Sequence, residues 1–373
     1  MENEKKRTRV WKLLLVNGAF LFAGVVALEL IFGSWVRPHH LAHLNIPRDC
    51  TIRYDASTIY GATEPVVYTR DRWGLRGHYE STGDIDIITM GGSATDQRYI
   101  PDGQTWQDVI AREFAAEGKK VTVVNAGIDG QSTYGHLKNL DWWFPAIPGL
   151  KVKYVLYYIG SNDIYKGGDS DFDALVYENQ PKWKGKIKDC SAVYHVIRTV
   201  TASYQAMHVR KLSHRYTDLN AWQWTTDAYV ADPESLVAER LDRYRRAVAM
   251  LAEKTRAMGA VPIFVGQSLS VYRPRPDGTM EGKVNSEDYD GATVNGLDLY
   301  HILRIFWRVT REECEKSGGV FIDAGNEMVW QPGDFYDTTH NTPQGCERLG
   351  KYLHAKLAGL PLGDQGKSEV SRP

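Results

Sequence analysis

The sequence is short of the residues and motifs that mark several large protein classes. Its cysteines are few and far apart, so they form no zinc-type pair: Cys50, Cys190, Cys314 and Cys346. They are compatible with disulfides in an oxidising compartment, but their spacing indicates no pairing. We find no Walker-type lysine loop and no internal repeat. The net charge of −1 provides no basic field, so we expect no nucleic-acid partner.

The chain does contain one long apolar run near its N-terminus. Residues 13–36 are rich in Leu, Val, Phe and Ala, and residues 5–12 before them carry five Lys or Arg side chains. About 20 apolar residues suffice to cross a bilayer. Basic residues that precede a span favour an inside N-terminus, which places the remainder outside. We therefore predict a cytoplasmic tail over 1–12, a transmembrane anchor over 13–36 and an extracytoplasmic domain at the cell membrane.

Two residues weaken this interpretation. Asn17 is polar and Glu29 is acidic, and a carboxylate inside a membrane is costly. Glu29 is near the outer end of the run, where it can reach the interface. The alternatives are a cleaved signal peptide and a buried amphipathic helix of the soluble domain. No small-x-small cleavage site follows the run, so the anchor is favoured.

From residue 83 onward, apolar strand patterns alternate with helical ones. Strands are predicted over 85–90, 121–124, 152–159, 261–266 and 320–322. Helices are predicted over 105–117, 232–258, 297–317 and 342–357. This alternation is typical of an α/β fold in which helices cover both faces of a parallel sheet.

The remaining segments show no such alternation of strand and helix patterns. We interpret 37–82 as a stalk that leads into the domain edge, and 361–373 as a disordered tail. The main domain then covers 83–360, with a polar and aromatic insertion at about 165–231. The tryptophans of this insertion serve for packing or for stacking on sugar rings. The segment "RDRWGLRG" (70–77) is either a turn at the domain edge or a substrate contact.

Three of the predicted strands end in polar turns that contain glycine. These turns are "GGSAT", "NAGIDGQST" and "GSND", and the carboxyl ends of parallel strands meet at one edge of a sheet. Ser93 in the first turn is a candidate nucleophile, which needs a base and an acceptor to orient that base. His340 and Asp337, three residues apart in "DTTH", can supply both. The N–H of Ser93, an N–H in the Gly130 turn and the Asn162 amide are candidate oxyanion donors.

These four blocks, in this order, resemble those of the SGNH (GDSL-like) hydrolase family over about 83–360. The resemblance implies a three-layer α/β/α fold and ester hydrolysis without a metal or cofactor. It makes Ser93 the nucleophile, His340 the base and Asp337 its orienting partner, and it assigns Gly130 and Asn162 to the oxyanion hole. The chain reads Gly-Gly-Ser where the founding signature of the family has Gly-Asp-Ser.

The leading functional hypothesis is a membrane-anchored extracytoplasmic esterase. Its expected substrate is an O-acylated, in particular O-acetylated, carbohydrate, because the location and the small-acyl chemistry favour one. An O-acyltransferase that passes the acyl group to a polysaccharide hydroxyl uses the same acyl-enzyme. A non-catalytic glycan-binding or scaffold module and a lipase are further alternatives. The joint presence of Ser93, Asp337 and His340 argues against a catalytically dead module.

Overall fold

The computed structural model describes residues 2–35, 41, 44–168, 171–175, 182–209, 212–284 and 287–363. Its strands are β1 (Cys50–Tyr54), β2 (Val66–Arg70), β3 (Ile85–Gly91), β4 (Val123–Asn125), β5 (Val152–Ile159), β6 (Trp224–Thr225), β7 (Val261–Gly266), β8 (Tyr272–Pro274), β9 (Met280–Lys283), β10 (Glu287–Tyr289), β11 (Ala292–Val294) and β12 (Val320–Ile322). Its helices are α1 (Glu2–Phe32), α2 (Ser57–Tyr60), α3 (Ser93–Asp96), α4 (Trp106–Ala116), α5 (Thr133–Lys138), α6 (Lys182–Cys190), α7 (Ala192–Tyr204), α8 (Pro233–Ala257), α9 (Gly296–Lys316), α10 (Ala324–Glu327) and α11 (Pro343–Leu357). The predicted tail lies outside the described residues from 364 onward.

One five-stranded sheet forms the centre of the domain. Its strand order is β12-β7-β5-β3-β4, and every neighbouring pair is parallel. β3 and β5 lie inside the sheet and are almost wholly buried, because helices cover both of their faces. Residues of β5 alternate between the two faces, with Tyr154 and Leu156 in one core and Val155 and Tyr157 in the other.

The helices complete a three-layer α/β/α arrangement. α4 packs against α11 on one face, where Trp106 and Phe114 meet Leu349 and Leu353 in a common core. α8 packs against α9 on the other face, in the core that contains Val155 and Tyr157 of β5. The predicted α/β fold with a parallel central sheet is therefore confirmed.

Capping residues explain why the helices begin close to where the sequence predicts. The Thr105 hydroxyl accepts the N–H of Asp108 at the start of α4, and the Asp108 carboxylate accepts the backbone N–H of Thr105 in return. Asn295 makes the same reciprocal pair at the start of α9. Proline occupies the first position of α8 and α11, where its missing N–H costs nothing.

The region predicted as a stalk over 37–82 is mostly part of the domain. Leu44 and Ile46 are buried in its core, and β1 pairs with β2 as an antiparallel hairpin. Arg70, Leu75 and Arg76 of the segment 70–77 are buried. Arg76 donates to the carbonyls of Asp96, Gln97 and Ile100. These contacts favour packing over substrate contact for this segment.

The insertion at 165–231 contains α6 and α7. Its end adds β6 to β9, so that β6, β9 and β8 form a small antiparallel sheet. All four cysteines are buried and none forms a disulfide.

One helix in the described part of the chain is long and apolar enough to cross a membrane. It is the stretch Val10–Phe32 of α1. This stretch starts three residues before the start of the predicted span over 13–36, and it ends four residues before the end of that span. Its length and composition are compatible with a membrane anchor.

Candidate active site

Ser93 stands where β3, an inner strand of the five-stranded sheet, ends and α3 begins. Two glycines precede it, and both sites are too crowded for a side chain. A Cβ at Gly91 would lie 2.1 Å from Thr95 Oγ1, and one at Gly92 would lie 2.3 Å from Asn162 Nδ2. Ser93 is the first residue of α3, so its N–H has no carbonyl partner within the helix. The glycines therefore let the Asn162 amide approach the residue next to Ser93.

Ser93, His340 and Asp337 form a continuous hydrogen-bonded chain. The Ser93 Oγ lies 2.6 Å from His340 Nε2, and His340 Nδ1 lies 2.7 Å from Asp337 Oδ2. Asp337 Oδ1 accepts the N–H groups of Thr339 at 2.8 Å and His340 at 2.7 Å. The short turn before α11 thus holds the carboxylate and the imidazole in one fixed arrangement.

The charge state of Asp337 decides which nitrogen of the imidazole donates. Burial opposes ionisation, but the hydrogen bond and charge of His340, together with the two backbone N–H groups, outweigh it and hold the pKa of Asp337 below its ordinary value. An ionised carboxylate only accepts hydrogen bonds. His340 therefore donates from Nδ1, and in the neutral ring Nε2 accepts the Ser93 hydroxyl proton.

The Gly130 turn and Asn162 lie beside the two glycines that precede Ser93. The N–H of Ile128 donates to the carbonyl of Gly91 at 3.0 Å, which fastens the turn to the end of β3. Asn162 Nδ2 donates one hydrogen to the carbonyl of Gln131 at 2.7 Å, and its second hydrogen remains for another acceptor. Gly130 has a φ of 76°, a backbone conformation that favours glycine. The assignment of Gly130 and Asn162 to the oxyanion hole stays a prediction.

Two buried carboxylates hold the start of α5, directly after the Gly130 turn. Asp163 accepts from the N–H and hydroxyl of Thr133, and Asp173 accepts from the N–H and hydroxyl of Ser132. Negative charge is favourable at a helix N-terminus, where the N–H groups lack partners. Asp163 therefore has a structural role beside Asn162.

The buried His136 in α5 makes stability depend on pH. Burial lowers the pKa of His136 to about 4, so the folded protein keeps this ring neutral while the unfolded chain protonates near its ordinary value. A base with a depressed pKa destabilises the fold as pH falls below the unfolded value. We expect the free energy of unfolding to decrease by about 2 kcal/mol between pH 7 and pH 5 through this residue.

Urea unfolding at the two pH values measures this decrease, with His136→Gln as the comparison. The variant should show a smaller decrease than the wild-type chain. An equal decrease in both would assign the pH dependence to other groups.

A buried ion pair between Arg70 and Asp96 holds the end of α3. Asp96 accepts from Arg70 Nη2 at 2.5 Å and from the Tyr68 hydroxyl at 2.7 Å, and its side chain is 1% exposed. Burial opposes ionisation, but Arg70, Arg98 and Tyr68 outweigh it and hold the pKa of Asp96 below its ordinary value. The sequence alone does not indicate this pair, since its members come from β2 and α3. The pair joins the β1–β2 hairpin to the helix that begins with Ser93.

A second histidine, also missed from the sequence, lies against His340. The ring of His214 stacks on that of His340 with centroids 3.8 Å apart and an angle of 17° between the planes. Its Nδ1 hydrogen-bonds the Tyr336 hydroxyl at 2.7 Å. Burial and, next, the charge of His340 lower the pKa of His214 to about 3, so this ring stays neutral. The insertion therefore supplies one wall of the site.

His214, Asp337 and His340 are also the one group of metal-ligand side chains that lie close together in the described part of the chain. One donor atom from each lies within 4.8 Å of the others. Three of the four imidazole nitrogens in this group are already hydrogen-bonded, to Ser93, Asp337 and Tyr336. Hydrogen bonds to Ser93, Asp337 and Tyr336 therefore already occupy most of these ring nitrogens.

Comparison with solved structures finds many chains that resemble this one at low sequence identity. A catalytic mutant of an acetylxylan esterase from Geobacillus stearothermophilus is 13% identical, covers 74% of this chain and 94% of its own, and has a TM-score of 0.40. A member of the lipolytic G-D-S-L family from Veillonella parvula is 14% identical, covers 74% and 100%, and has a TM-score of 0.41. The psychrotrophic esterase EstA from Pseudoalteromonas sp. is 12% identical, covers 74% and 97%, and has a TM-score of 0.38.

Among curated proteins, no relative matches the sequence. The model of the GDSL-like lipase/acylhydrolase family matches residues 89–281, slightly more than half of the chain. The match includes the Ser93, Gly130 and Asn162 turns and ends before Asp337 and His340. The chain belongs to the GDSL-like lipase/acylhydrolase family and is an SGNH-type ester hydrolase.

Proposed function

We propose that the protein is a membrane-anchored, extracytoplasmic serine esterase that removes small acyl groups, acetyl foremost, from a carbohydrate. The serine-esterase activity in this proposal is supported by the hydrogen-bonded chain from the Ser93 hydroxyl through His340 to Asp337. A nucleophile, a base within reach and an acceptor that fixes the base are the parts that acyl transfer through a serine requires.

The first half of the reaction forms an acyl-enzyme. The Ser93 oxygen attacks the ester carbonyl while His340 Nε2 takes the hydroxyl proton. The resulting imidazolium is stabilised by the ionised Asp337. The oxyanion accepts hydrogen bonds from the N–H groups of Ser93 and Gly130 and from Asn162 Nδ2. Collapse of this intermediate breaks the ester C–O bond, and His340 returns the proton to the leaving alcohol.

The second half repeats the chemistry with water. His340 takes a proton from the water that attacks the acyl carbon, and it then protonates the Ser93 oxygen as the carboxylic acid leaves. A sugar hydroxyl in place of that water would give an O-acyltransferase. The same residues serve both reactions, so the product decides between them.

A cavity beside the Gly130 turn supports a polar substrate. It has a volume of about 410 Å³ and is bordered by Ile128, Asp129 and Gln131 of that turn. Its lining also includes Arg98, Asp171 and Arg198 besides apolar side chains. Charged side chains favour a hydroxyl-rich group over a long alkyl chain. We take this cavity as the site of the alcohol part of the ester, and its charged side chains then favour a carbohydrate ester over the lipase alternative.

Acyl-chain preference tests the substrate class. We expect the full-length protein in detergent to hydrolyse aryl acetate faster than aryl octanoate and to release acetate from an O-acetylated polysaccharide. A preference for octanoate would favour the lipase instead. Acetylated sugar formed from an added acceptor, in place of free acetate, would identify a transferase.

Asn162→Ala is expected to lower kcat for aryl acetate by about 10²–10³ with little change in KM, because a lost oxyanion donor weakens the transition state. Steady-state kinetics measures both constants. The thermal midpoint of the variant serves as the control, since Gln131 also loses its partner. A change confined to KM would make Asn162 a substrate contact.

The anchor is proposed to place the domain outside the cytoplasm. A C-terminal reporter that is active only outside the cytoplasm should therefore be active, and a reporter that requires the cytoplasm should be inactive. The basic residues before the span supply the reason. The reverse pattern would show that they do not orient it.

A further inference from the structure

α7 exposes an apolar stripe on its surface. Val196, Ile197, Val200 and Tyr204 are each about 60% exposed, at 64, 59, 63 and 61%. Their spacing of one, three and four residues places them on one side of the helix. Single exposed apolar residues are common, but a contiguous stripe of this kind marks a contact surface.

The preceding helix α6 carries positive charge and an exposed tryptophan. Its sequence is KWKGKIKDC; Lys184 and Lys186 are exposed, and Trp183 is 61% exposed. Lysine and tryptophan are typical of helices that lie at a membrane surface, where the charge meets anionic headgroups and the indole lies at their level. α6 and the stripe of α7 are consecutive along the chain, so we name them together the α6–α7 surface.

The end of the candidate membrane span is attached to the corner between these two helices. Glu29 of α1 accepts from the Ser191 hydroxyl at 2.5 Å, from the N–H of Ala192 at 3.0 Å and from that of Val193 at 3.2 Å. The N–H of Ser34 donates to the carbonyl of Cys190 at 2.9 Å. The acidic residue that is unusual in an apolar run thus caps the N-terminus of α7.

This attachment determines the depth of the α6–α7 surface. Glu29 lies three residues before Phe32, where the candidate span ends. At a rise of 1.5 Å per residue this separation is about 5 Å. The start of α7 is therefore level with the outer end of the span, where headgroups meet acyl chains.

We propose that the α6–α7 surface lies on the outer face of the lipid bilayer, with the apolar stripe of α7 at the acyl boundary and the lysines of α6 among anionic headgroups. The proposal rests on the membrane anchoring proposed above and adds a second contact to it. Arg198, Thr199 and Ala202 of α7 line the cavity beside the Gly130 turn. Docking of α7 thus holds this cavity at a fixed position relative to the membrane.

Fluorophore quenching in lipid nanodiscs tests the proposal. Single cysteines are introduced into the full-length chain at Ile197 in the stripe, at Leu21 in the span and at Val329, an exposed apolar residue outside both. The four native cysteines are buried, so an added exposed one is labelled selectively. The nanodiscs contain phosphatidylglycerol and phosphatidylcholine with brominated acyl chains, which quench fluorophores that lie at their depth.

We expect quenching for the labels at Ile197 and Leu21 and none at Val329. Quenching at Leu21 alone would overturn the docking while leaving the anchor intact, and quenching at neither would overturn both. Equal quenching at Val329 would also contradict the proposal, because the contact would not be specific to the α6–α7 surface.

A charge in the stripe provides a second measurement. Val200→Asp should reduce quenching of the label at Ile197, while hydrolysis of soluble aryl acetate stays unchanged. Unchanged quenching in this variant would contradict the role of the stripe.

Discussion

Replacing Ser93 with alanine is expected to lower kcat for aryl acetate by roughly 10⁴-fold or more, down to the background of the assay. The change removes the oxygen that forms the acyl-enzyme, and the hydrogen bond of 2.6 Å to His340 is lost with it. Ser93 is only partly exposed, and alanine occupies less space, so the fold should accept the variant. Initial rates of aryl acetate hydrolysis by full-length protein in detergent provide the measurement.

His340→Ala is the matched partner of this variant and should be nearly as inactive. Because residues of one catalytic unit act together, the double variant should be little worse than either single one. Circular dichroism and the thermal midpoint confirm that both remain folded. Wild-type turnover in folded Ser93→Ala would show that another group attacks the ester.

Asp337→Asn is expected to lower kcat by about 10²–10⁴-fold, by an effect on the tautomer of His340. Asp337 Oδ1 is held by the N–H groups of Thr339 and His340, so an asparagine would keep its oxygen at that position. Its NH₂ group would then face His340 Nδ1 in place of Oδ2. Nδ1 would become the acceptor, and the proton would move to Nε2, where it blocks proton transfer from Ser93.

Asp337→Ala separates this effect from the loss of charge. Alanine removes the charge but leaves the tautomer of His340 free, so it should be no more harmful than asparagine. A loss of kcat of about 10⁴-fold in Asp337→Asn would equal the loss that the same change causes in a comparable Ser-His-Asp triad. The resemblance to the SGNH family favours a loss of kcat nearer to about 10²-fold, because some relatives operate with a Ser-His dyad. Wild-type kcat in Asp337→Asn would remove Asp337 from the mechanism.

The central sheet was predictable from the sequence because its signals are local. The run Val152–Ile159 is apolar throughout, which is typical of a strand covered on both faces, and its bounds agree with the structure. The glycine turns could be placed at one edge of the sheet because parallel strands share an orientation. Ser93 and His340 could be paired for a different reason: their motifs resemble those of a known family.

The contacts that the sequence did not predict join segments far apart in the chain. His214 lies in an insertion without periodicity, and its stacking on His340 depends on how that insertion folds back. The same holds for Arg70 and Asp96, which meet because the β1–β2 hairpin packs under α3. Glu29 could be recognised as unusual in an apolar run, but its partner at the start of α7 could not be identified.

The most direct test of the central claim is covalent labelling of the nucleophile. A fluorophosphonate reacts with an activated serine by forming an O–P bond as fluoride leaves, and peptide mass mapping of the labelled full-length chain then locates the adduct. We expect one adduct, on Ser93, and its near disappearance in His340→Ala, where no base takes the hydroxyl proton. An adduct on another serine that abolishes the esterase activity while Ser93 stays unmodified would show that Ser93 is not the nucleophile.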